Sequence, residues 1–410
     1  MKSDIDALMR ERDLDAILVS GPGQHNPAMV YLTGGGHLTS AELVKKRGVE
    51  PVLFCNPMER DEAADTGLET RDLGKYRYTE LLEEAEGDRI LAAALRYQKI
   101  FAEVGLTEGR IAIEGRKEIG PAYAVFSALQ RLMPEITIIG EVEDSVLSKA
   151  RMTKDEDEIR RIRRMGQITT QVVAQVADFL SGHKTRNEIL IKKDGQPLLI
   201  GEVKKRINLW LAERGAENPE GTILAIGRDA GVPHSSGKDE DALRLGRTII
   251  FDIFPCEAGG GYYYDFTRTW CLGYAPDKAF ALYEDVLGVY QQIRNELRVG
   301  ERCKLYQERT CALFEARGHP TIKDNPQTTD GFVHGLGHGL GLNVHEKPWL
   351  GVAATDEDRL DPGVVVTIEP GLYYPDKGVG CRLEDSVWAR PDGSFEVLAD
   401  YPLDLVLPVE

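Results

Sequence analysis

The sequence predicts two domains in tandem, an α/β domain over residues 1–150 and an α+β domain over residues 153–410. Three observations predict this. Short apolar strand-like runs alternate with helical stretches through the first domain. A helix-start signal at Thr153-Lys-Asp-Glu156 then interrupts that pattern. Beyond it lie two long hairpin patterns, each built on a turn rich in Gly or Pro-Asp.

In the first domain Ile5, Leu8 and Met9 stand at helical spacing. Asp15-Ala-Ile-Leu-Val-Ser20, Pro51-Val-Leu-Phe-Cys55 and Arg110-Ile-Ala-Ile-Glu114 read as strands. Thr33-Gly-Gly-Gly36 follows another apolar run and reads as a turn, and Ala122 to Leu132 as a helix. Strands alternating with helices imply at least partly parallel pairing. His25 and His37 stand beside glycines and prolines and are expected to be ordinary loop residues.

At the boundary, Thr153 and Glu156 form a capping-box pattern, in which hydroxyl and carboxylate satisfy free amides at a helix start. Ile159, Ile162, Met165, Ile168, Val172, Val176 and Phe179 then mark one apolar helix face. Arg160, Arg161, Arg163 and Arg164 fall largely off that face and read as a solvated basic edge. Further helices are expected near 200–214, 277–298 and 304–317, with Gly300 and Gly318 as stops. Strands are expected at 222–226, 248–254, 262–271, 364–369 and 382–389, paired as antiparallel hairpins.

Composition narrows the function. Lys and Arg total 50 against 67 Asp and Glu, a net charge of −17, which opposes nucleic acid as a main partner. No apolar run is long enough for a membrane helix, so no membrane partner is expected. The opening residues lack the apolar core of a secretory signal, and a cytoplasmic protein is expected. Six cysteines without a Cys-x-x-Cys pair suggest reduced, mostly buried thiols.

The chemistry concentrates in the hairpins. Asp252 and Asp265 are equidistant from a turn centred between Ala258 and Gly259, so a regular hairpin would oppose them directly. Glu369 and Glu384 are likewise equidistant from the centre of the turn Pro375-Asp-Lys-Gly378. Like charges opposed on one face are unfavourable without a cation. Between the hairpins, His334, His338 and His345 stand among glycines that allow close backbone approach. Four carboxylates and one imidazole suit a pair of divalent ions. Oxygen-rich ligation favours manganese or cobalt over a thiolate-type zinc site.

These residues resemble the pita-bread metallopeptidases, which include methionine aminopeptidases, Xaa-Pro aminopeptidases and prolidases. The motifs are Tyr264-Asp-Phe-Thr-Arg-Thr269, His334-Gly-Leu-Gly-His338, Thr367-Ile-Glu-Pro-Gly371 and Arg382-Leu-Glu-Asp385. Asn26-Pro-Ala-Met-Val-Tyr-Leu-Thr-Gly34 is similar to a segment of a creatinase-like N-terminal domain. The resemblance implies a pita-bread catalytic domain, an antiparallel sheet flanked by helices, after a smaller creatinase-like α/β domain. It implies that Asp252 holds one ion, that Asp265 and Glu384 bridge two, and that His338 and Glu369 hold the second. Glu369 would also be the base. His234, in Gly231-Val-Pro-His-Ser235, would contact the scissile amide, and His345 would stabilise the tetrahedral oxygen. Manganese is the favoured ion, with cobalt or zinc as alternatives, and a homodimer is expected.

The chain departs from the family pattern where Ile253-Phe-Pro255 follows the first aspartate and the two aspartates stand two residues further apart. Cys381 lies three residues before Glu384 and is expected to be a packed thiol rather than a ligand. The creatinase-like domain favours an Xaa-Pro peptidase acting on proline-containing di- or short peptides, with the dipeptidase preferred and an aminopeptidase acting on longer peptides as the alternative. A dipeptidase must hold the free proline carboxylate, for which Arg359, Arg382 and Tyr401 are candidates, with His334 a further substrate contact. A creatinase-like C–N hydrolase and a non-catalytic peptide-binding module of the same fold are the remaining alternatives.

Overall fold

The computed structural model describes residues 4–142 and 144–409. The chain divides into two compact units. The first runs to Arg151 and takes in Gly259–Gly261; the second takes Met152–Ala258 and resumes at Tyr262.

In the first unit six strands form one mixed sheet: β1 (Ala16–Gly21), β2 (Ala41–Lys46), β3 (Val52–Cys55), β4 (Glu69–Asp72), β5 (Gly109–Gly115) and β6 (Ile136–Gly140), in the order β4-β3-β2-β1-β5-β6. The pairs β1–β5, β5–β6 and β3–β4 are parallel, while β1–β2 and β2–β3 are antiparallel. β1 is buried at every position, which explains its unbroken apolar run. The helices are α1 (Ile5–Glu11), α2 (Pro27–Thr33), α3 (Arg60–Ala64), α4 (Tyr78–Glu84), α5 (Arg89–Glu103), α6 (Ile119–Leu132) and α7 (Val146–Met152). Leu18, Phe54, Phe101 and Leu129 centre this core. The apolar run before the glycine turn is helix α2, with Pro27 in its first turn and left-handed Gly34 (φ 84°) ending it.

The second unit opens on α8 (Glu156–Ser181). Its cap is Asp155 rather than Thr153. The Asp155 carboxylate accepts from the amides of Asp157 and Glu158, and Glu158 accepts from the Asp155 amide. Thr153 instead bridges to Val364, and the Lys154 amide donates to Gly363, so the chain stays extended up to Asp155.

Along the chain follow β7 (Lys184–Arg186), β8 (Ile189–Ile191), α9 (Ile200–Ala212), β9 (Ala216–Glu217), β10 (Thr222–Ile226), β11 (Thr248–Ile253), β12 (Cys256–Glu257) and β13 (Phe266–Leu272). Then come α10 (Asp277–Glu296), α11 (Cys303–Glu315), β14 (Gly337–Gly339), β15 (Glu346–Leu350), β16 (Val365–Ile368), β17 (Gly371–Tyr374), β18 (Val379–Arg382), β19 (Asp385–Ala389), β20 (Phe395–Val397) and β21 (Val406–Leu407). One sheet has the order β10-β11-β13-β21 and a second β15-β14-β16-β19-β20, while β7–β8, β9–β12 and β17–β18 pair as two-stranded sheets. A bridge between Thr267 and Glu384 joins the two larger sheets. α10 and α11 cover a core that includes Val286, Tyr290, Phe314, Val366, Ile368 and Leu372. Among the described residues no helix is long and apolar enough to cross a membrane. All six cysteines are free and buried.

Candidate metal centre

The first acid pair comes from the β11–β13 hairpin. Its ladder runs from Thr248↔Cys271 to Ile253↔Phe266 and continues through the bridge Cys256↔Tyr263. Asp252 therefore faces Thr267, and Asp265 is not directly opposed to it. The sequence expectation of an opposed pair is corrected. The turn is centred between Gly259 and Gly260, one residue later than expected, because both glycines take positive φ (87° and 77°) and close the loop there. Asp265 and Thr267 are two apart and share a face, so the aspartates are diagonal neighbours on that face.

The second pair keeps its register. Val365↔Trp388 to Ile368↔Asp385 and Gly371↔Arg382 to Tyr374↔Val379 belong to one register, and Glu369 and Glu384 occupy equivalent positions at its interruption. Pro370 follows Glu369 and has no amide for the ladder. The two backbones turn to third partners instead: the Glu369 amide donates to Leu336 and the Glu384 amide to Thr267.

His338 arrives on β14, between β15 and β16. Its neighbours must be glycines, since a Cβ on Gly337 would lie 2.1 Å from the Thr367 carbonyl oxygen and one on Gly339 2.0 Å from that of Lys347. His338 Nδ1 lies 3.1 Å from the Gly339 carbonyl, to which it donates, leaving the Nε2 lone pair for the acids. Nε2 is 3.4 Å from Glu369 Oε1 and 3.6 Å from Asp265 Oδ2. Burial, with His345 nearby, drives the His338 pKa down to about 3, so the ring is neutral, as a ligand must be.

Ligand atoms of Asp265, His338 and Glu384 lie within 4.8 Å of one another. Burial, then the charges of Asp252 and Glu369, pushes Asp265 well above the usual carboxylate range; burial, then Asp265, does the same to Glu384. Burial raises Glu369 to about 8. Asp252 Oδ1, Asp265 Oδ1 and Glu384 Oε1 are buried without a hydrogen-bond partner. Unpaired buried acceptors converging beside a neutral imidazole fit divalent cations, which satisfy such oxygens and cancel their repulsion. Thr267 Oγ1 donates to Glu384 at 2.6 Å, and the His338 amide donates to Thr367 Oγ1 at 3.1 Å. Sequence reasoning missed both threonines, although Thr267 shares a strand face with Asp265 two residues away.

Arg382 differs from expectation. Its guanidinium donates to Asp252 Oδ2 (2.5 Å), the Tyr373 hydroxyl (2.7 Å), Pro233 O (3.2 Å) and Thr267 Oγ1 (3.3 Å). It orients a cluster acid and has little donor capacity left for a substrate carboxylate. His334 hydrogen-bonds the Tyr373 hydroxyl and the Gly335 carbonyl, and burial lowers its pKa to about 3.

A cavity of about 810 Å³ opens over the cluster, lined by all five metal-ligand candidates and by His234, His334, His345 and Arg382. The His345 ring lies 4.3 Å from that of His338. Tyr401 does not line the cavity: its ring packs edge-on against Phe266 and its carbonyl accepts from Arg268. Its candidacy rested on the tail following the last strands, and that tail packs behind β13 instead. Arg359 is exposed, bonds the Gly300 carbonyl and is likewise outside the cavity. Cys381 is buried, which pushes its thiol up to about 12, so it is no thiolate ligand.

Fold and site together define a metal-dependent hydrolase of the pita-bread type. Residues 160–391 match metallopeptidase family M24, and residues 3–152 match the creatinase/prolidase N-terminal domain. The chain belongs to metallopeptidase family M24. An Xaa-Pro dipeptidase of Pyrococcus furiosus is 29% identical over 253 residues, 61% of this chain and 64% of that protein, just under two thirds of its length. Among solved structures, an Xaa-Pro dipeptidase from Bacillus anthracis superposes with a TM-score of 0.75 at 21% identity, covering 99% of both chains. An X-Pro aminopeptidase from Thermotoga maritima gives 0.73 at 23%, covering 96% of this chain and 97% of its own. At these identities the structures establish the shared fold.

Proposed function

We propose that this protein hydrolyses the Xaa-Pro peptide bond with two divalent ions, and that Xaa-Pro dipeptides are its preferred substrates. One observation carries the reading: four acids and a neutral histidine converge at the base of an open cavity, with three carboxylate oxygens left unpaired. Asp252, Asp265, His338, Glu369 and Glu384 would hold the ions. The ions, manganese in the first instance, would supply an acidified water and a polarised scissile carbonyl. Glu369, with 17% of its side chain open, takes the proton of the attacking water. His345 donates to the developing oxyanion, and His234 holds the scissile amide from the cavity wall. Arg382 keeps Asp252 oriented through its guanidinium.

The name of the Pyrococcus furiosus relative supports the dipeptidase. A second reading, an aminopeptidase acting on longer peptides, is favoured by a cavity of about 810 Å³, more than a dipeptide fills. Purified protein assayed with Ala-Pro and Ala-Pro-Ala in manganese buffer decides between them. Strong preference for the dipeptide is the expected result. Equal rates reject the dipeptidase, and absence of both hydrolysis and bound divalent ion rejects the peptidase.

A further inference from the structure

We infer that Lys205 binds the C-terminal carboxylate of the peptide substrate. This rests on the peptidase reading above and deepens it. Among the described residues, the cations lining the cavity are Arg382, Lys204 and Lys205. Arg382 is committed to Asp252, Tyr373, Pro233 and Thr267. Lys204 donates to Asp239 Oδ1 at 3.1 Å and to the Gly237 carbonyl at 3.3 Å. Lys205 is exposed and has no hydrogen-bond or ion-pair partner among the described residues.

The helix makes this lysine more than a solvated surface charge. Gly201, Lys204, Lys205 and Asn208 are spaced i, i+3, i+4, i+7 on α9 and all line the cavity, so one stripe of the helix forms its wall. The adjoining stripe, with Ile200, Val203, Ile207 and Leu211, is buried and anchors the helix. Gly201 lets α9 approach closely, since a Cβ there would meet Asp239 Cβ at 2.8 Å.

Charge fits the same assignment. The cavity floor is acidic (Asp252, Asp265, Glu369 and Glu384), while Lys204 and Asp239 largely cancel each other on the wall. Glu220 also lines the cavity, and Lys205 is the lining cation that holds no ion-pair partner among the described residues. A short peptide at neutral pH is a zwitterion. Its ammonium is drawn to the floor and its carboxylate to α9, which aligns the chain across the site. The recognised group is therefore a free carboxylate, and a C-terminal amide lacks the charge that Lys205 reads.

The test compares Ala-Pro with Ala-Pro amide, and Ala-Pro-Ala with its amide, in the manganese-loaded full chain. The wild type is expected to favour the acids by roughly tenfold through KM, the scale of one charge-assisted hydrogen bond. Lys205→Ala brings the acid-to-amide ratio close to one, Lys205→Glu inverts it, and Lys205→Arg restores it. An unchanged ratio in Lys205→Ala and Lys205→Glu overturns the lysine assignment and leaves the peptidase reading standing. Hydrolysis of no acid and no amide by the wild type overturns the peptidase reading and this inference with it.

Discussion

The β11–β13 hairpin and the β16–β19 segment carry the two acid pairs in different registers. In the first, the two aspartates are off register: Asp252 faces Thr267, and Asp265 lies in the gap between Ile253↔Phe266 and the bridge Cys256↔Tyr263, diagonal to Asp252. In the second, the ladder is interrupted, yet Glu369 and Glu384 keep equivalent places in one register. The interruption frees both glutamate backbones to bond third strands, and the Thr267↔Glu384 bridge brings one pair to the other. Equal spacing from a turn is therefore no guarantee of opposition. What assembles the cluster is the bridge between the two hairpins.

Breaking that assembly should have the largest effect. Asp265→Asn or Glu384→Gln is expected to abolish Xaa-Pro hydrolysis and lower bound divalent ion together, read by turnover and elemental analysis. Full activity in either variant would remove that acid from the ligand set.

Next in size is a buried ion pair that holds the start of α8 against β15, directly after His345. Lys154 Nζ lies 2.9 Å from Glu346 Oε1, with side chains 1% and 7% exposed. Lys154→Met strands a buried carboxylate and should cost about 3–5 kcal/mol in a urea melt, with part of the loss recovered in Lys154→Met/Glu346→Leu. A loss below about 1 kcal/mol would assign the pair no structural weight.

A subtler change tests the bridge between the hairpins. Thr267→Val removes the hydroxyl that holds Glu384 and should weaken ion binding about 10–100-fold, with activity recovered at high manganese. Unaltered manganese dependence would mean that the ions alone orient Glu384.

The pH response sharpens the difference between a charged and a neutralised cluster. Without ions, burial moves Glu369 from its ordinary 4.5 up to about 8. An acid raised in the folded state stabilises the fold below its unfolded pKa and loses that contribution as pH climbs toward the folded value. Chelated protein should therefore lose melting temperature as pH rises from about 4.5 to about 8, while manganese-loaded protein loses far less. Identical profiles would contradict the clustering of uncompensated acids. The smallest effect belongs to the turns: Gly378→Ala (φ 63°) and Gly259→Ala (φ 87°) should each cost about 1–2 kcal/mol of stability and leave ion content unchanged.

The local signals were legible in the sequence. The α8 apolar stripe, the helix stop at Gly318 and the strand runs follow from periodicity and turn chemistry, which depend on neighbours in the chain. Gly300 is not the stop of α10, which ends at Glu296 because Leu297 turns extended. The four acids stood out by their spacing, while His338 was singled out among three histidines by the family resemblance. The Glu369–Glu384 register was readable because Pro375-Asp-Lys-Gly378 marks a single turn centre. The triple glycine at 259–261 allows several centres, so the Asp252–Asp265 register was not, and the structure moved it by one residue. The capping residue shifted from Thr153 to Asp155 because a bridge to Val364, distant in sequence, holds Thr153 extended. Tertiary structure alone decided that Arg382 serves Asp252, that Tyr401 packs on Phe266, and that α9 turns Lys205 toward the cavity. Each of these depends on which distant surfaces meet, and a side chain's charge or hydroxyl looks the same in sequence whichever partner the fold brings to it.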